Sequence, residues 1–195
     1  MATKQYTYVG GKLIFVVCLF SMESGDLLAL IEADVMGQMR TGAASGVATK
    51  YLARTDAKTA AIIGTGWQAR TQLEAIAAVR ELERVHVYGR DAERKESFAR
   101  EMSSRLGVRV EPAASSAEAT ADAAIVCTAT TAGQAVVAAE SIAPGTHINA
   151  IGANHMFEHV ARLNIVGVQA KGRPCVVASL RHLAEPQVKR GAIRP

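Results

Sequence analysis

Hydrophobic and polar positions along this chain fall into two regimes that change near Thr59. Downstream of it, short apolar runs rich in β-branched residues alternate with stretches of helical period. The pattern predicts strands over 60–63, 84–88, 108–111, 123–127 and 147–151, with helices over 68–82, 92–106 and 116–120. Leu73, Ile76, Ala77 and residues 79–82 form the expected buried side of the first of these helices. Such alternation predicts a parallel sheet with helices on both faces. Ligands of these sheets sit beyond the carboxyl ends of the strands, which selects the segments after Ile63, Tyr88, Cys127 and Ile151.

Upstream, the apolar run 13–20 (LIFVVCLF) reads as a buried strand, paired through a Glu-Ser-Gly-Asp turn with 27–32 in a hairpin. Residues 1–11 show no period, end in Gly10-Gly11 and read as a ragged start. Asp34 is placed to cap a helix over about 35–54, with Met36, Met39, Ala43, Val47 and Leu52 among its buried positions. The small residues of 41–46 let that helix lie close to a neighbour. Arg40 stands in its first turns, either as a surface cation or as a guanidinium able to grip a carboxylate.

One stretch carries most of the chemistry. The apolar strand 60–63 runs into Gly64-Thr65-Gly66-Trp67-Gln68-Ala69, a G-x-G-x-x-A pattern that opens a helix. Gly64 allows a tight turn, Gly66 lets backbone approach a pyrophosphate, and Ala69 is small enough for close helix–strand packing. N–H groups near Trp67 and Gln68 would face the phosphates. The strand before and helix after identify a dinucleotide-binding turn, hence a Rossmann-type, doubly wound α/β fold.

The end of the second strand bears on which dinucleotide. An NAD-selective domain usually has an acid there for the ribose hydroxyls, whereas this chain has Tyr88-Gly89-Arg90-Asp91. Arg90, with Arg94 nearby, suits a 2′-phosphate, so NADP(H) is favoured and NAD(H) remains possible. Asp91 is preferred as the N-cap of the next helix over a ribose acceptor. Thr128-Ala129-Thr130-Thr131 and Ile151-Gly152-Ala153-Asn154 follow later strands and read either as plain turns or as the cofactor's ribose and nicotinamide lining.

Composition narrows the remaining classes. The 195 residues carry a net charge of +4, but basic and acidic residues are interleaved, which argues against nucleic acid. Run 13–20 is too short to span a bilayer and lacks a good cleavage site after it, so no membrane or secretory role is expected. Cys18, Cys127 and Cys175 are scattered without C-x-x-C spacing and read as reduced, buried thiols of a cytoplasmic protein. His155 and His159 have i, i+4 spacing, but no carboxylate framework of a zinc hydrolase surrounds them, and no metal is expected.

With these residues in view, the chain resembles the ornithine cyclodeaminase and mu-crystallin family. The resemblance rests on Arg40-Thr41-Gly42-Ala43-Ala44, on 50–54 (KYLAR), on 63–69 (IGTGWQA), on Thr128-Ala129-Thr130 and on 144–154 (PGTHINAIGAN), in the family's order and spacing. It implies that Arg40 binds the substrate carboxylate near the nicotinamide and that 64–69 hold the pyrophosphate. It also implies that Gly89-Arg90 chooses between NAD and NADP, and that Thr130, Ile151 and Gly152 line the cofactor. In the cyclodeaminase, hydride leaves the ornithine α-carbon, the side-chain amine attacks the imine, ammonia departs and hydride returns to give proline. An Asp serves proton transfer there; Asn154 stands in its place and cannot ionise. That departure, with Arg90, favours the family's other activity, reduction of a small imino acid by NADPH.

The resemblance further implies a homodimer and a longer N-terminal substrate and dimerisation region, which holds a substrate-binding lysine and is here almost wholly missing. The expected organisation is a remnant of that region over 1–53, a dinucleotide-binding domain over 54–154 and a divergent tail over 155–195. Two functions compete: an NAD(P)-dependent enzyme acting on a small amino or imino acid, or a truncated, inactive dinucleotide-binding remnant.

Overall fold

A computed structural model of the chain describes residues 1–10, 12–152, 165–170 and 173–179, with side chains over 1–10 and 14–151. Its centre is a sheet built from β4 (Thr59–Ile63), β5 (Arg84–Tyr88), β6 (Arg109–Pro112), β7 (Ile125–Thr130) and β8 (His147–Gly152). The order β6-β5-β4-β7-β8 is parallel throughout, so the chain runs outward on one side of β4 and returns on the other. β4 therefore borders the crevice between β4 and β7 where the winding reverses.

The crossovers explain which residues are inside. Helices α2 (Trp67–Ala77) and α3 (Ala92–Leu106) bury Leu73, Ile76, Phe98 and Met102 against Ile62, Val85, Val87, Ile125 and Cys127. Short α4 (Ser116–Thr120) covers the opposite face, where Ala61, Ile63, Val126 and Ile148 point. Adjacent residues of β4 thus serve two cores, which is why it reads as a continuous apolar run. The expected alternation is present with shifted bounds: the strand expected over 123–127 is β7, so Thr128-Ala129-Thr130 lies in the strand and not after it, and α2 ends at Ala77 instead of continuing to residue 82. Arg80 lies just past that end, its guanidinium donating to the Thr49 and Ala53 carbonyl oxygens.

Two differences lie at the chain ends. The start read as ragged is strand β1 (Ala2–Val9), antiparallel to β2 (Lys12–Phe20) in a register from Ala2↔Leu19 to Val9↔Lys12, with Gly10 at φ +57° in the turn. The alternating Thr and Tyr of residues 3–8 and a glycine pair are strand and turn signals outweighed by the absence of an apolar period. β2 also pairs with β3 (Leu27–Glu32), as expected, but the strand is only half-buried and most of β3 is exposed. Beyond β8, β9 (Ile165–Ala170) and β10 (Arg173–Ser179) form an antiparallel hairpin, and β10 pairs antiparallel with β8 to widen the sheet to seven strands. This part of the tail has a regular place.

Helix α1 (Asp34–Leu52) corrects the expected burial most sharply. Its buried residues are Gly37, Gln38, Gly42, Ser45, Gly46 and Thr49, while Met39 and Val47 are 53% and 58% exposed and Met36 and Ala43 are exposed too. Leu52 is half-buried. Close approach decides the face: a Cβ on Gly42 would lie 2.5 Å from the Thr71 carbonyl oxygen, and one on Gly46 3.1 Å from the Ala75 Cβ, both on α2. Only small side chains fit such a crossing, so they displace the apolar ones from the interface. Asp34 is the first helical residue, not the cap, and its Oδ1 accepts the Phe15 N–H at 2.6 Å, tying β2 to the helix.

Candidate dinucleotide and substrate site

The glycine turn after β4 is held from both neighbouring strands. The Gly64 N–H donates to the Tyr88 carbonyl oxygen at 2.8 Å, and its φ of +117° is one that other residues avoid. A Cβ there would collide with the Ala129 carbonyl oxygen on β7. Gly66 is the N-cap of α2, in extended backbone, and a Cβ on it would meet nothing within 4 Å. No side chain caps this helix, so its first N–H groups at Trp67 and Gln68 lack a side-chain acceptor. Ala69 is fully buried against the sheet. A tight elbow, open space over Gly66 and uncapped donors fit a pyrophosphate. Gln68 Oε1 is buried and without a hydrogen-bond partner among the described residues.

The other strand ends converge on the same edge of the sheet. Register places Ile63 beside Tyr88 and Thr128, and Thr130 beside Gly152. Thr130 is half-buried, its Oγ1 accepting the Ala132 N–H at 3.1 Å, and Ile151 is buried. After β5, Gly89 lies against Thr65, where a Cβ would come within 3.0 Å of the threonine side chain. Arg90 is exposed. Asp91 is the N-cap of α3, its Oδ1 accepting the Arg94 N–H at 2.9 Å. Asn154, His155 and His159 lie outside the described residues.

Helix α1 brings the second half of the site. Gln38 donates from Nε2 to the Trp67 carbonyl oxygen, and the Thr71 hydroxyl lies 3.3 Å from the Gln38 carbonyl oxygen, so the first turns of α1 rest on the first turns of α2. Arg40, two residues on, is exposed. Lys4 of β1 reaches the same helix one turn earlier, its ammonium 4.1 Å over the Phe15 ring and 3.9 Å from where a Gly37 Cβ would be. Partial burial against that ring, followed by the Arg40 charge, holds the Lys4 pKa below the usual lysine value. Among the described residues no carboxylate forms an ion pair with Lys4 or Arg40. Sequence reasoning missed Lys4, because its partner is 36 positions away and its strand went unread.

Beneath these groups the support is polar and buried. The Asn149 amide of β8 donates from Nδ2 to the Thr49 hydroxyl at 2.9 Å, and its Oδ1 lies 3.2 Å from His147 Nε2. This ties α1 to the central sheet. On the far side of α2, Arg70 and Glu101 form a bidentate pair that raises the arginine pKa and lowers the carboxyl's through their hydrogen bonds.

Comparison with known proteins agrees with this architecture. The model of the ornithine cyclodeaminase/mu-crystallin family matches residues 5–160. A Δ1-pyrroline-2-carboxylate reductase of Bacillus cereus is 43% identical over 162 residues, covering 80% of this chain and 50% of that one. An L-lysine cyclodeaminase of Streptomyces rapamycinicus is 43% identical over 136 residues, 68% of this chain and 39% of that one. Among solved structures, Thermococcus litoralis Δ1-pyrroline-2-carboxylate reductase, in complex with NADH and L-proline, superposes with a TM-score of 0.78 at 40% identity, covering 83% of this chain and 54% of that one. The chain thus spans about half the length of the relatives it matches. With the family match extending from β1 past β8, and the glycine elbow at its centre, the chain belongs to the ornithine cyclodeaminase/mu-crystallin family.

Proposed function

We propose that this chain carries the dinucleotide site and the carboxylate anchor of an NAD(P)H-dependent enzyme that reduces a small cyclic imino acid. The observation that carries this reading is the elbow at the head of α2, with open space over Gly66 and no side-chain cap on the first N–H groups, and with α1, which bears Arg40, seated on that helix through Gln38. Arg40 supplies a planar fork and Lys4 a point charge, which together suit a carboxylate. When bound, the reduced nicotinamide supplies hydride to the imine carbon. The residues of this chain hold and orient: 64–69 the pyrophosphate, Thr130, Ile151 and Gly152 the ribose and nicotinamide side, Arg40 and Lys4 the acid group. Relatives at 40% identity or more that are named Δ1-pyrroline-2-carboxylate reductase support reduction over cyclodeamination, as does Asn154 at the place where the family's Asp moves a proton.

For the cofactor, Arg90 free on the surface and Asp91 engaged as a helix cap support NADPH over NADH. Replacing Arg90 with Ala then weakens NADPH and leaves NADH unchanged; equal effects on both would remove the preference. The exposed apolar residues of β1–β3, with Leu30 at 69%, support a second copy as their cover. Sedimentation that finds only monomer at micromolar concentration would remove that partner. Turnover is tested by mixing the chain with Δ1-pyrroline-2-carboxylate and NADPH and following the loss of reduced-nicotinamide absorbance. Cofactor-dependent thermal stabilisation without turnover would instead establish a dinucleotide-binding protein that does no chemistry.

A further inference from the structure

Arg80 lies in the turn after α2, outside the groups assigned above, and is buried. Its guanidinium gives its donors to backbone. Nε reaches the Arg54 carbonyl oxygen at 2.9 Å, Nη1 that of Val79 at 2.7 Å, and Nη2 those of Thr49 and Ala53 at 2.8 Å and of Lys50 at 3.2 Å. Four of these five acceptors belong to the last turn of α1 and the residues just after it, and among the described residues no carboxylate forms an ion pair with Arg80. The backbone closes the same end with the Ala53 N–H bond to the Thr49 carbonyl oxygen. A buried cation on helix C-terminal carbonyls satisfies orphan acceptors and meets the negative end of the helix dipole.

We infer that Arg80 is a positioning residue, which clamps the carboxyl end of α1 to the turn after α2 and so fixes where Arg40 stands relative to the dinucleotide elbow. The two helices are joined at three levels: Gln38 to Trp67 at one end, Gly42 and Gly46 against Thr71 and Ala75 in the middle, and Arg80 at the other. α1 carries Arg40, whereas α2 begins at the elbow. The glycine crossing offers only small side chains to interlock, so a bond at each end resists sliding of one helix along the other. The inference rests on the reading above that Arg40 holds the substrate carboxylate.

The test compares Arg80→Met and Arg80→Lys with the unaltered full chain. Nucleotide affinity is read from quenching of Trp67, the sole tryptophan; turnover and hydrogen exchange of the α1 amides are followed alongside. The clamp predicts that Arg80→Met raises KM for the imino acid about tenfold while kcat and NADPH affinity stay within about twofold, and that exchange quickens in the last turns of α1. Arg80→Lys keeps the charge without the fork and should fall between, which also covers failure of the Met variant to fold. Unchanged KM with unchanged α1 exchange overturns the inference, as does a loss of NADPH affinity as large as the loss in KM. If the unaltered chain does not turn over, the functional reading fails, and the exchange arm alone decides the clamp: unchanged exchange refutes it.

Discussion

The glycine elbow, at the head of α2, and the Lys4–Arg40 pair, on β1 and α1, are built on opposite plans. The elbow is contiguous: six residues, a strand before and a helix after, with Gly64 fixed between Tyr88 and Ala129 of the flanking strands. The cation pair comes from two remote pieces, Lys4 on an exposed strand with its ammonium over the Phe15 ring and Arg40 on an exposed face of α1, whose charge lowers the Lys4 pKa. One is rigid because its backbone has a single way to fit. The other is placed by packing around it, so it should answer separately to mutation.

The largest expected effect comes from filling the elbow. Gly64→Val puts a β-branched residue at φ +117°, a strain of about 1–3 kcal/mol before the collision with the Ala129 carbonyl is counted. Calorimetric titration should find no nucleotide binding. Wild-type affinity in this variant would break the contrast at its rigid half.

Next, Arg40→Ala should leave nucleotide affinity unchanged while raising KM for the imino acid. A charged hydrogen-bonding group contributes about 1.5–3 kcal/mol, or roughly ten- to a hundredfold. Steady-state kinetics with each substrate varied in turn would check it. If cofactor affinity fell in parallel, the two halves would not be separable.

What was legible in the sequence follows the same division. The elbow, the parallel strands and the Asp91 cap were readable because each depends on residues within a few positions, where backbone sterics and capping chemistry act. β1, Lys4 and the buried face of α1 were not. Lys4 and Arg40 meet only after two strands and a helix have packed, and Met39 and Val47 lost the interface to Gly42 and Gly46 because the helices cross too closely for large side chains. Apolar patterning states which groups gain from burial; it does not state which face wins when closeness matters more. Arg80 is a parallel case: it falls within the run 79–82 read as buried and is buried, but its partners are carbonyl oxygens at the end of α1 that no local pattern names.

Lys4 offers a smaller and subtler probe. Its charged form is disfavoured by burial and by Arg40, so a bound carboxylate, which favours the protonated amine, should raise its pKa and take up a proton. Substrate affinity is then full below the pKa of the free site and falls as pH rises through it, beginning below the ordinary lysine range. Lys4→Met should remove that limb from the kcat/KM profile. It should also weaken binding several-fold at neutral pH, less than loss of the Arg40 fork. A limb that survives in the variant would assign it to another group.

The smallest effect tests whether the elbow side is as complete as its geometry implies. Asp91 serves α3 through one oxygen, accepted from the Arg94 N–H, and a carboxylate at the end of β5 is also what a ribose diol would seek. The two roles separate by substitution. Asn caps a helix nearly as well as Asp, whereas Ala costs about 1 kcal/mol. If Asp91 only caps, Asp91→Asn leaves the melting temperature and both nucleotide affinities unchanged, and Asp91→Ala lowers the melting temperature alone. A loss of NADH affinity in Asp91→Asn, with the melting temperature intact, would make the acid a ribose acceptor. It would also turn the preference toward NADH, because the same charge would repel a 2′-phosphate that Arg90 attracts.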